Sequence, residues 1–149
     1  MKSLIRDVIR EQGGYSADHP QAEVVLDANE SPYDLPTSVK ESSYERLRDT
    51  DYNRYPDPTS AALRAKLSDY LDVPAESIVA GNGSDELISY LLTAFVDPED
   101  TILVPSPTFS MYGILTRQLH GRLREIPLGS NWELTDEFLE AVPGSKLTF

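Results

Sequence analysis

Gly81, Asn82, Gly83, Ser84, Asp85 and Glu86 stand between a short apolar run and a helical stripe. In such a turn glycines let the backbone bend tightly and leave amides free to face an anion such as phosphate. No lysine follows the glycines, as a nucleotide P-loop requires, and Glu86 stands where the dinucleotide fingerprint has its third glycine. The same residues also make a plain strand-to-helix turn whose Asp85 and Glu86 favour the positive end of the helix. If an anion binds, both acids must point away from it or engage other donors. A second group, Pro105 to Tyr112, follows a strand-like run and so falls at the carboxyl end of a parallel sheet, where open α/β folds bind ligands. Phe109 there either stacks on a planar ring or joins Tyr112 on the side of a helix that packs on the sheet. A third group, Asn53 to Asp57, is either a connecting turn or, through Arg54 and Tyr55, an anion clamp.

Other chemistries lack their residues. His19 and His120 are isolated, without the paired spacing of a zinc helix, so no metal site is expected. There is no Gly-x-Ser-x-Gly elbow, and Asp97, Glu99 and Asp100 share a proline turn that reads as a solvated acidic loop. Hydrolysis has no support.

The elements that position these groups follow from periodicity. Leu4, Ile5, Val8 and Ile9 predict a short helix stopped by Gly13 and Gly14. Tyr15 to Pro36 reads as an extended arm with a brief strand at Val24 to Leu26, and a helix follows around Val39 to Leu47. Ala62, Leu63, Leu67, Tyr70 and Leu71 form one apolar face of a helix capped by Thr59 or Ser60. Ile78 to Ala80 is expected as a short buried strand, followed by the glycine turn and a helix carrying Leu87, Ile88, Leu91, Leu92 and Phe95. Then come strand Thr101 to Val104, helix Phe109 to Leu119, strand Leu123 to Ile126, helix Asp136 to Val142 with a Thr135 cap, and a last strand-like run, Leu147 to Phe149. Alternation of this kind predicts an α/β fold, a parallel sheet flanked by helices, because each parallel crossover needs a long connection. The final run has no turn or tail after it, and the sheet is expected to be incomplete. Residues 1–36 form a leading helix and arm, and residues 37–149 the first part of the main domain.

Composition bounds the partners. The 149 residues carry 25 acids against 13 bases, a formal charge of −12, with no basic run, so nucleic acid is not an expected partner. Cysteine is absent, which excludes a disulfide framework, a thiolate metal site and a cysteine nucleophile. The start lacks the apolar centre of a signal peptide, and the longest apolar stretch, Leu91 to Val96, is far below the ~18–20 residues of a membrane span. A soluble protein in the cytoplasm is expected.

Four stretches taken in order resemble the amino-terminal part of the histidinol-phosphate aminotransferases, which belong to the class II pyridoxal-phosphate-dependent aminotransferases. They are Leu26 to Pro32, Asn53 to Pro58, Gly81 to Glu86 and Pro107 to Tyr112. The resemblance implies the large domain of a fold type I enzyme, with pyridoxal 5'-phosphate at the carboxyl ends of the strands and a homodimer that builds each site from both subunits. It implies that amides near Gly83, Ser84 and Asp85 hold the cofactor phosphate, and that Phe109, where many relatives have tyrosine, stacks on the pyridine ring. Tyr55 would reach the partner subunit's cofactor phosphate, and Tyr15 and Asn29 would lie near the substrate. The implied substrates are histidinol phosphate and imidazole-acetol phosphate, with glutamate and 2-oxoglutarate. An aromatic aminotransferase, a threonine-phosphate decarboxylase and a truncated non-catalytic module are the alternatives. Transamination needs a lysine that carries the cofactor and moves a proton. Lys2, Lys40, Lys66 and Lys146 are the lysines here and none has the family's context, so no catalytic residue is assigned and this piece alone is expected to be inactive.

Overall fold

Thr101–Ser106 forms the central strand, β1. Its side chains alternate between two interiors: Ile102 and Val104 are buried in one cluster and Leu103 in another. That is the pattern of a strand covered on both faces. The computed structural model describes residues 4–12, 23–26 and 29–149. Arg122–Pro127 (β2) and Leu147–Thr148 (β3) lie on either side of β1 and parallel to it, in the order β2-β1-β3. Thr101 stands opposite Arg122 and Ile102 opposite Leu147.

Helices fill the crossovers. The first four are Asp7–Gln12 (α1), Thr37–Arg48 (α2), Ala61–Leu71 (α3) and Ser84–Phe95 (α4). Ser110–Gln118 (α5) and Asp136–Ala141 (α6) lie between the strands. Ile88 and Leu92 of α4 pack with Ile102 and Val104, and Tyr112, Leu115 and Leu119 close the same cluster. On the other face Phe138 and Ala141 of α6 pack with Leu103 and Ile126. The Thr135 hydroxyl accepts from the Phe138 amide at 3.3 Å, the cap its position predicts. From Ser84 onward the elements agree with the sequence within one or two residues, and the α/β class holds.

Upstream, the structure departs from expectation. Ile78 to Ala80 is no strand: it follows a single 3-10 turn, Ala75–Ser77, is extended at Ile78, pairs with no described strand and leaves Val79 70% exposed. Both edges of β1 are already taken by β2 and β3. Val24 to Leu26 likewise pairs with nothing described and is exposed. The apolar face of α3 forms, yet no residue of that helix is buried, because no described element covers it. Neither Thr59 nor Ser60 caps α3 with its side chain. Instead the Asp57 carboxylate accepts from the Thr59 hydroxyl (2.7 Å), the Thr59 amide (2.9 Å) and the Ala61 amide (2.7 Å). Those donors, the Thr59 hydroxyl foremost, hold the Asp57 carboxyl below the usual carboxylate range. The leading helix starts at Asp7, after Leu4 and Ile5, and docks on α5 through polar contacts. Arg6 donates to the Gln118 carbonyl (2.8 Å) and pairs with His120 Nε2 (2.6 Å), and Gln12 Nε2 donates to the Ile114 carbonyl (3.2 Å).

Thr116 of α5 is completely buried and its hydroxyl has no hydrogen-bond partner. A buried donor without a partner keeps its full desolvation cost, whereas valine has the same shape and no polar atom. Thr116→Val is expected to raise stability by about 1 kcal/mol in urea denaturation, and a loss of stability would show that the hydroxyl is satisfied in solution.

Candidate ligand site at the carboxyl end of the sheet

Chain direction places the two sequence motifs at one end of the sheet. From the end of α4 the chain reaches the start of β1 within Val96 to Asp100, so α4 runs against β1 and starts near the strand's carboxyl end. β1 leads through Pro107, Thr108 and Phe109 into α5, which starts at that same end. The two helices lie on one face of the sheet and share the Ile88–Leu92–Ile102–Val104 cluster.

Gly83 precedes α4 with φ 84 and ψ 171, a combination open to glycine almost alone. A Cβ placed on it would meet no atom within 4 Å, so the position looks onto open space. No side chain caps the helix, and the first amides of a helix have no acceptor within it. Ser84 and Asp85, both exposed, occupy this first turn. Open room, unclaimed amides and the positive end of a 12-residue helix together fit an anion of phosphate size.

Glu86 does not lie over that opening. Its carboxylate turns back and accepts from the Asn82 amide, and the Tyr90 phenol lies one turn along beside it. The Asn82 amide and then Tyr90 hold the Glu86 carboxyl below its usual range, and the same pairing raises the Tyr90 phenol. The acid thus engages other donors. Sequence reasoning did not find this contact, although a glutamate at the third helical position followed four residues later by tyrosine is its signal.

The two aromatic residues of the second motif have separate surroundings. Tyr112 is partly buried against the core and stacks on Phe149, with ring centroids 4.7 Å apart. Phe109 sits just before α5, 47% exposed, with its ring edge-on to Tyr112 at 5.7 Å. It borders a pocket shared with Ser106, Thr108, Ser110, Arg117 and Glu125. Arg117 and Glu125 face each other there at 4.0 Å. Phe109 therefore precedes the helix that packs on the sheet, and its ring stays partly exposed.

Tyr55 is fully exposed in the turn between α2 and α3. Asn29 is exposed with φ 52. Tyr15 and His19 lie outside the described residues. Among the described residues no group of three or more His, Asp and Glu side chains is placed to hold a metal, and no helix is long and apolar enough to cross a membrane. Since the Gly83 backbone suits glycine alone while its surroundings are empty, Gly83→Val is expected to destabilise the protein by about 1–3 kcal/mol through backbone strain. Unchanged stability in denaturant would mean the turn relaxes freely.

Comparison with known proteins fits this geometry. The family model described as "Aminotransferase class I and II" matches residues 22–144. The histidinol-phosphate aminotransferase of Aquifex aeolicus is 38% identical over 131 residues, 88% of this chain and 37% of that protein. That of Pyrococcus furiosus is 43% identical over 124 residues, 83% of this chain and 36% of its own length. The chain therefore spans well under half of the curated relatives it matches. Among solved structures, the Sinorhizobium meliloti histidinol-phosphate aminotransferase, in complex with pyridoxal-5'-phosphate, superposes with a TM-score of 0.73 at 24% identity, covering 81% of this chain and 33% of that one. The Thermus thermophilus aspartate aminotransferase gives 0.70 at 22% identity, covering 80% and 34%. By sequence over most of its length and by fold, the chain belongs to the class I and II aminotransferases.

Proposed function

We propose that this chain forms the phosphate-holding turn and the ring-stacking wall of a pyridoxal-phosphate-dependent aminotransferase acting on histidinol phosphate and glutamate. The open, glycine-only position at Gly83, ahead of an uncapped helix, carries the reading. The amides of Gly83, Ser84 and Asp85 bind the phosphate, and Phe109 offers its exposed ring face to the pyridine. When bound, this cofactor supplies an electron sink for the carbon that loses its proton. Tyr55, free of the chain's own core, reaches the phosphate bound by the second subunit of a homodimer, and Asn29 and Tyr15 lie toward the substrate. The enzyme works in the cytoplasm, with imidazole-acetol phosphate and 2-oxoglutarate as the keto partners.

Lys40 and Lys146 do not serve as the proton-moving group. Lys40 is tied to Asp34, and Lys146 pairs with Asp100 at 3.9 Å at the opposite, amino end of the sheet. That lysine belongs to the length of the relatives that this chain does not span. The fold is also that of a tyrosine aminotransferase from Leishmania infantum, and the second reading is a related enzyme with another amino donor such as an aromatic amino acid.

Three measurements check these readings. The purified native protein is expected to transfer the amino group of histidinol phosphate to 2-oxoglutarate in clear preference to those of tyrosine and phenylalanine, and the reverse preference would reject the first substrate assignment. Its mass should exceed 16.6 kDa, with a cofactor-bearing lysine in the added sequence, whereas a product of that size would leave a non-catalytic module. In the native enzyme Tyr55→Phe should weaken cofactor affinity roughly ten- to a hundredfold, the worth of one hydrogen bond to a charged group. Unchanged affinity would remove Tyr55 from the site.

A further inference from the structure

A carboxylate in the first turn of a helix that also holds an anion presents a physical conflict. The positive helix end favours both, but they repel each other. The structure resolves the conflict at Glu86 by geometry. Its Oε2 accepts from the Asn82 amide, ahead of Gly83, and the Tyr90 phenol lies one turn further along beside the same carboxylate. The neighbouring glycine makes room for this arrangement: a Cβ on Gly81 would lie 3.1 Å from Glu86 Oε2 and 2.8 Å from Leu87 Cδ2. The carboxylate thus packs onto the backbone where Gly81 has no side chain.

Nothing on the upstream side does the same work. Ile78 to Ala80 joins no ladder among the described residues, so the chain entering the turn is not fixed by the sheet. The hold on the turn comes from its own helix, through Glu86. We infer that Glu86 is a positioning residue for the anion turn. Its carboxylate clamps Asn82 against α4, so that Gly83 keeps its conformation and the first amides of the helix stay presented to the open side, while the negative charge is engaged on the Asn82 side. This role rests on the reading of the turn as a phosphate holder.

The test measures binding of inorganic phosphate and of pyridoxal phosphate to the native protein by calorimetry, with melting temperature and circular dichroism alongside. Glu86→Ala is expected to weaken both ligands about tenfold or more, the scale of one lost hydrogen bond to a charged group. Glu86→Gln, which keeps an acceptor oxygen for Asn82 and loses the charge, should restore most of the affinity. If the carboxylate acts only as a repelling charge, both variants will bind more tightly, and that result overturns the inference, as does unchanged binding in Glu86→Ala. Should Glu86→Ala not fold, Glu86→Asp decides: its shorter side chain no longer reaches the Asn82 amide and should weaken binding, and unchanged affinity overturns the clamp. Gly83→Val separates the two levels. If the unmodified protein binds neither ligand, or Gly83→Val binds them normally, the phosphate reading itself fails and the role of Glu86 falls with it.

Discussion

Burial of β1 on both faces is the constraint from which the rest of this structure follows. Ile102 and Val104 demand cover on one side and Leu103 on the other, so helices must lie on both. Parallel neighbours then require every connection to return across the length of the sheet. With α4 entering β1 and α5 leaving it, both helices start at the strand's carboxyl end and bring their positive ends there. A place for an anion beside an aromatic ring is thus a consequence of connectivity, before any site residue is chosen.

The two ends of the sheet have opposite character. At the amino end charges are paired at short range: Arg122 with Glu99, and Lys146 with Asp100, while Asp100 Oδ2 also accepts from the Asp97 amide at 2.9 Å. These contacts tie the starts of the strands together. At the carboxyl end the charge is partial and backbone-borne, and the acid best placed to neutralise it, Glu86, is turned onto Asn82. In a chain of net charge −12 such local arrangement matters more to an anion than the overall sign.

Legibility of the fold in the sequence tracks how completely each apolar pattern finds a partner. The Leu92, Ile102, Val104 and Ile126 patterns translate directly into helix and strand because each contacts another described element. Ile78 to Ala80 and the α3 face carry equally good patterns and remain uncovered, since periodicity reports which residues seek burial and is silent on what meets them. Capping was misassigned for a similar reason. Thr59 and Ser60 have suitable hydroxyls, but Asp57 has two acceptor oxygens and reaches three donors at once. At the candidate site, the left-handed turn at Gly83 and the part-exposed ring of Phe109 ahead of α5 follow from residue type and position. The Glu86 clamp was not, because a carboxylate's direction depends on which donors lie within reach.

The aromatic stack joins parts of the chain made at different times. Phe109 leans edge-on against Tyr112, Tyr112 lies flat on Phe149, and the Phe149 amide donates to the Leu103 carbonyl at 3.0 Å. The ring wall at the end of β1 is therefore buttressed by a residue that follows it by forty positions in sequence and arrives only with the third strand. A ribosome that has made everything through α5 has made both faces of that wall but not its support. The aromatic end of β1 and the third strand are thus one packing unit, although forty residues of chain separate their parts.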